Sequence, residues 1–124
     1  MSAGKYDLYI EQGATFQRDC LYTDSTGAPI DLTGMTMQAQ IRRSYSDPTV
    51  TQAITITILP QTGSNVGKFT MLISAVDTAS IAVNTATDFE NAITNFTWDL
   101  ELNTGGTVRR LMQGTVYVSP EVTR

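Results

Sequence analysis

Asn95-Phe96-Thr97-Trp98-Asp99-Leu100-Glu101-Leu102-Asn103-Thr104-Gly105-Gly106-Thr107-Val108-Arg109-Arg110-Leu111-Met112 is the stretch that decides the fold. Phe96, Trp98, Leu100 and Leu102 alternate with polar residues, the period of a strand with one face in a core. Asn103 to Gly106 then reads as a hairpin turn, with glycine where positive φ is wanted. On the return, Val108, Arg110 and Met112 share a face, Gly114 interrupts it, and Val116 and Val118 continue the same parity. The expectation is a long antiparallel hairpin built on an apolar inner face.

The same period runs outward to the N-terminus. Tyr6, Leu8 and Ile10 alternate with Asp7, Tyr9 and Glu11, and Gly13 ends that piece. Phe16, Cys20 and Tyr22 share a face with Arg18, which predicts an edge or bulged strand. Asp24 to Gly27 is a turn, and Pro29, lacking a donor, keeps the next piece out of any central strand. Met35, Met37, Ala39 and Ile41 form a half-buried strand; Ile54, Ile56 and Ile58 form another; Phe69, Met71 and Ile73 a third. Residues 44–53 and 84–92 read as polar loops, and 60–67 as a turn. Ser74 with Asp77 three residues on signals a helix start, so one short helical segment is expected near 75–83, over one end of the sheets. About seven strands with regular turn signals predict an all-β, immunoglobulin-like β-sandwich. It forms a single domain over 1–124, with short tails at 1–5 and 119–124.

Composition narrows the function. The 124 residues include 20 Thr but only 2 Lys, a balance that favours strands. The chain has no His, which removes every His-based triad, dyad and metal site. Cys20 is the only cysteine, so no intrachain disulfide or paired-cysteine zinc site forms. A net charge of −4 argues against nucleic acid as a partner. No apolar run is long enough for a membrane-spanning helix. The opening Met-Ser-Ala-Gly-Lys-Tyr-Asp lacks a signal peptide's apolar centre, so synthesis in the cytoplasm without export by that route is expected.

The candidate chemical groups mostly have plain readings. Asp99 and Glu101 share a solvent face, with Arg109 and Arg110 across the hairpin, so a cross-strand ion pair is expected in any register the turn permits. Arg42-Arg43 and Arg109-Arg110 are the only paired bases. They serve either as charged strand ends or as forks for a partner's carboxylate or phosphate. Trp98, in phase with Leu100 and Leu102, belongs to the core. Cys20 reads as an inert buried thiol. Asp24-Ser25-Thr26-Gly27 lacks the aspartic-protease spacing. No nucleophile, base and oxyanion site assemble, so no catalytic, cofactor or metal residues are assigned and a non-enzymatic role is expected.

Three stretches together resemble a known group. They are residues 6–16, the run Gly27-Ala28-Pro29-Ile30-Asp31-Leu32-Thr33-Gly34 with the strand to Arg42, and Trp98-Asp99-Leu100-Glu101-Leu102 with residues 108–124. They are similar to small tailed-phage virion proteins, and in layout to the N-terminal immunoglobulin-like domain of phage baseplate upper proteins. The segment from Ser74 to Ala79 resembles the short helix of that group. The resemblance implies a structural virion protein assembled in the host cytoplasm, docking to other tail, baseplate or capsid proteins in a symmetric or homo-oligomeric arrangement. Two features depart from it. The loops at 44–53 and 84–92 look longer, and the linker and oligomerising part of baseplate upper proteins do not follow, which favours a compact decorating or bridging domain. Under this reading, residues 2–13 and 119–124 are free to add to a partner's sheet. The contact residues expected from exposure and residue type are Tyr6, Tyr9, Arg42, Arg43, Arg109, Arg110, Glu121, Val122, Thr123 and Arg124. A carbohydrate-binding sandwich is the alternative from another class, although Tyr9, Tyr45 and Tyr117 look scattered. A small Asp-based hydrolase is weaker still.

Overall fold

A computed structural model describes residues 4–83 and 94–121. The strands are β1 (Gly4–Lys5), β2 (Leu8–Glu11), β3 (Phe16–Leu21), β4 (Thr36–Arg42), β5 (Gln52–Ile58), β6 (Lys68–Ile73), β7 (Thr94–Thr104) and β8 (Thr107–Ser119). One helix, α1, covers Ala75–Ala79. The strand path is β1-β8-β7-β4-β5-β6-β3, with β2 also beside β8. β5 joins two layers: Gln52 to Ile54 pair with β4, and Thr55 to Ile58 pair with β6. The sheet therefore curls over itself.

This is an immunoglobulin-like arrangement. Such domains set strands A, B, E and D in one sheet and C, F and G in the other. Here β4-β7-β8 stand as C-F-G and β3-β6-β5 as B-E-D. The N-terminal strands lie parallel to β8 and pair with it. Beside β3, where strand A would run, no described residue pairs.

The core forms where the two inner faces meet. Phe96, Trp98, Leu100 and Leu102 of β7 are buried, and Leu8, Ile10, Ile41, Ile54, Met71, Ile73, Val116 and Val118 pack with them. Each such side chain contributes roughly 1.5–3 kcal/mol on burial. The β7–β8 hairpin turns at Gly105 and Gly106, with φ of 56° and 92°, where a side chain would be strained.

Its register holds one surprise. Leu100 faces Met112 but Glu101 faces Arg110, so Leu111 is an extra residue in a bulge. The bulge overturns the expected shared face of Val108, Arg110 and Met112. Met112 points toward the core, while Val108 and Arg110 lie on the outer face.

A second correction concerns the N-terminal residues. From Gly4 on they are strands of this sheet, paired with β8 along one side, and not a free tail. Leu8 to Glu11 align with Val116 to Ser119, and even the expected tail at 1–5 contributes Gly4–Lys5 to the sheet. Between β1 and β2, residues 6 and 7 cross over Gly114. A Cβ there would sit 2.1 Å from the Tyr6 carbonyl oxygen, so only glycine fits. The crossover is bonded on both sides. The Trp98 indole N–H donates to the Tyr6 carbonyl at 2.7 Å, and the Thr115 amide donates to Asp7 Oδ1 at 3.0 Å. Tyr6 is half exposed, beside the seam between the layers where Phe69, Met71 and Leu111 also lie.

The helix forms where expected but is shorter, ending at Ala79. The Ser74 hydroxyl caps it by accepting from the Asp77 amide. Thr78 is fully buried and ties the β2–β3 corner. Its hydroxyl accepts from the Gly13 amide at 3.0 Å and donates to the Ala14 carbonyl at 2.8 Å. Gln12 completes the corner by donating to the Ile81 carbonyl and accepting from the Glu121 amide. The loop expected at 84–92 lies outside the described residues.

Candidate functional site

The outer face of β4-β7-β8 is mostly polar, Val108 near the hairpin turn being an exception, because strand alternation that sends Phe96, Trp98 and Leu100 inward sends Thr97, Asp99 and Glu101 outward. Asp99 sits at its middle, opposite Gln40 on β4 and Gln113 on β8. Arg42 stands one pleat to one side, opposite Thr97, and Arg110 one pleat to the other, opposite Glu101. Gln40, Arg42, Tyr45, Asp99, Arg110 and Gln113 line a cleft of about 460 Å³. The pairing of β4 with β7 and the bulge at Leu111 bring together two arginines that lie far apart in sequence.

Both guanidiniums are held. Arg42 donates to Gln40 Oε1 at 2.9 Å and to the Asp47 carbonyl at 3.2 Å, which anchors the loop carrying Tyr45. Arg110 places Nε 3.3 Å from Asp99 Oδ2 and donates to Gln113 Oε1 at 3.3 Å. This is the expected cross-strand ion pair, and partly exposed pairs of this kind contribute about 0.2–1 kcal/mol. A guanidinium carries five donors, so each arginine keeps donors that no described residue engages. Arg42 and Arg110 are balanced on this face by Asp99 and by Glu101, which lies opposite Arg110.

The other expected contact residues do not join this site. Arg43 is exposed just beyond the end of β4, and Arg109 is exposed opposite Leu102 near the hairpin turn. Tyr9 is 65% exposed and stacks on Tyr117 with ring centroids 5.1 Å apart. Those two rings are therefore paired and not scattered, because parallel pairing sets the two residues directly opposite. Tyr6 lies on the far side of β8. Glu121 turns back onto the β2 end, its carboxylate filling the place a Cβ on Gly13 would take. Val122, Thr123 and Arg124 lie outside the described residues. Tyr45, 63% exposed, also lines the cleft; sequence reasoning offered it only as one of three scattered rings for a carbohydrate-binding alternative. Its only signal was an aromatic in a polar loop shortly after two arginines.

The remaining titratable groups have local causes. Asp24 is held below the usual carboxylate range by the Thr26 hydroxyl, then by the Thr26 and Ala28 amides. The Thr33 hydroxyl and amide do the same for Asp31. Both are turn closures. Burial, then the Asp19 charge, pushes the Cys20 thiol up, although it is only half buried. Among the described residues no group of three His, Cys, Asp or Glu side chains could hold a metal ion, and no helix is long and apolar enough to cross a membrane.

No family model matches the chain, and no curated protein does. Solved structures of immunoglobulin-like domains align along nearly its whole length. A structure from photo-crosslinking work on cell-adhesive interactions of voltage-gated sodium channel β subunits shares 11% identity, covering 98% of this chain and 96% of that one, with a TM-score of 0.42. Murine CRIg shares 9%, covering 94% and 92%, with a TM-score of 0.41. The extracellular domain of the sodium channel β4 subunit, solved as a parallel homodimer, shares 13%, covering 98% of both chains, with a TM-score of 0.43. Such likeness carries no function across.

Proposed function

We propose that this chain is a non-catalytic protein-binding module that assembles into a tailed-phage virion, at the tail or baseplate, and docks through the outer face of β4-β7-β8. The observation that carries the binding reading is the convergence of Arg42, Tyr45 and Arg110 on one cleft that no described residue covers. Arginine and tyrosine are the side chains that dominate interface energetics, and a fork with spare donors matches a partner's carboxylate. The virion setting is supported by the resemblance of residues 6–16, 27–42 and 98–124 to small phage virion proteins. Placement on the capsid as a decoration protein is the variant of the same reading.

Quantitative mass spectrometry of purified virions tests the setting. A few copies per particle fit a tail or baseplate ring, hundreds fit capsid decoration, and absence overturns the virion reading. The surface is tested separately. A chain carrying Arg42→Ala and Arg110→Ala should fold normally and lose incorporation. Unchanged incorporation overturns the outer-face assignment.

The stacked Tyr9 and Tyr117 favour one other reading, a carbohydrate-binding module, since exposed rings offer a platform for a sugar face. Binding on a glycan array that Tyr9→Ala abolishes would establish it in place of protein docking.

A further inference from the structure

The two ends of the strand path differ. One carries β1 and β2, tied to β8 by the Trp98, Asp7 and Gln12 hydrogen bonds. At the other lies β3, paired with β6 alone; at both ends the outer side of the last strand pairs with no described residue. A sheet edge left this way presents backbone donors and acceptors to any passing strand.

Along this edge the two layers do not close. One cleft of about 230 Å³ lies between β3 and the β1–β8 side, lined mainly by apolar groups including Tyr6, Cys20, Tyr22, Phe69, Met71 and Leu111. A second, of about 530 Å³, continues past Arg18 to Phe16, Ile10 and the Tyr9–Tyr117 pair. Leu21, 51% exposed, and Tyr6, 49% exposed, flank the first. An added strand finds main-chain pairing on β3 and, at every second residue, a recess for a side chain. Those are the two components of recognition by strand addition.

The charges on β3 select the occupant. Arg18 has the inward parity and lies over the Phe16 ring at 4.6 Å, while Asp19 next to it points outward. A second copy pairing antiparallel about a twofold axis must match inward with inward residues. The two registers that align the most of β3 are then centred on Arg18 or on Asp19. Each sets like charge directly opposite like charge, which is destabilising.

We propose that the outer edge of β3 is a strand acceptor for an extended segment of a different polypeptide, one that places apolar side chains in the seam and an acidic side chain opposite Arg18. A second copy of this chain is refused. The inference concerns a separate surface and stands whatever becomes of the outer-face reading.

The test uses the full isotopically labelled chain and two synthetic peptides, followed by amide chemical shifts. Thr-Ile-Lys-Glu-Thr-Ile, laid antiparallel on residues 16–21, puts Glu opposite Arg18, Lys opposite Asp19, and both Ile side chains toward the seam. Thr-Ile-Glu-Lys-Thr-Ile reverses the charges. The first should shift the amides of β3 and the seam at millimolar concentration and bind about tenfold tighter than the second. A variant with Arg18→Glu and Asp19→Lys should prefer the second peptide. Unmoved β3 amides overturn the acceptor edge, and equal affinity for the two peptides overturns the charge rule. Protection of β3 amides that grows with protein concentration alone overturns the refusal of a second copy.

Discussion

The edge formed by β1 and β2 and the edge formed by β3 are built from similar short strands, each paired on one side only among the described residues, yet they differ in how they are held. β2 is fixed by features outside itself: the missing side chain of Gly114, the indole of Trp98, the amide of Thr115 and the corner around Thr78. Among the described residues, no side-chain hydrogen bond from another strand reaches the outer side of β3. What separates the two edges is the set of side chains that reach each from neighbouring strands, which local strand propensity does not encode.

The comparison breaks most decisively at Gly114. Gly114→Val drives a side chain into the Tyr6 carbonyl, so a loss of about 3 kcal/mol or more is expected in urea unfolding. A loss below about 1 kcal/mol would mean that the crossover relaxes freely and the edge is not locked. Trp98→Phe keeps an aromatic core residue but strands the Tyr6 carbonyl, for an expected loss of about 2 kcal/mol. Hydrogen exchange should place its effect on β2 first, with β3 unchanged. Thr78→Val removes a hydroxyl that serves both Gly13 and Ala14, and about 1–2 kcal/mol should go with it in the same unfolding assay. On the β3 edge, Asp19→Ala should alter stability by no more than about 0.5 kcal/mol, because nothing there depends on it. Acid sharpens the contrast last. The folded-state values of Asp24 and Asp31 are depressed, so their small contribution is present above the unfolded value near 3.9 and disappears as pH falls through the folded values. A pH titration of stability should show that loss only below about pH 4, and Asp24→Ala together with Asp31→Ala should flatten it.

What could be read from sequence follows the same division. The inner face of β7, the glycine turn at 105–106 and the Ser74 cap were legible because each is a local pattern whose physics acts within a few residues. The parallel pairing of β2 with β8 was not, since its partner lies 108 residues away. The bulge at Leu111 was hidden for a related reason: an extra residue leaves no compositional mark, yet it moves Arg110 onto the outer face. The arginine pairs stood out early, but sequence could not say that Arg42 and Arg110 would face one cleft while Arg43 and Arg109 stood apart. That depends on register between β4, β7 and β8. The edge character of β3 was legible from Arg18 in an apolar phase. The stack of Tyr9 on Tyr117 was not.

The pairing of β2 with β8 also sets the order of events during synthesis. β2 leaves the ribosome long before the part of β8 that it lies against. Until then β8 cannot screen Leu8 and Ile10, and Trp98 has not yet reached the Tyr6 carbonyl. Closing so long a loop is slow compared with forming the β7–β8 hairpin, so the native sheet is completed in one late step. A nascent chain of this protein therefore exposes apolar strand edges until β8 emerges, the interval in which chaperone protection matters most.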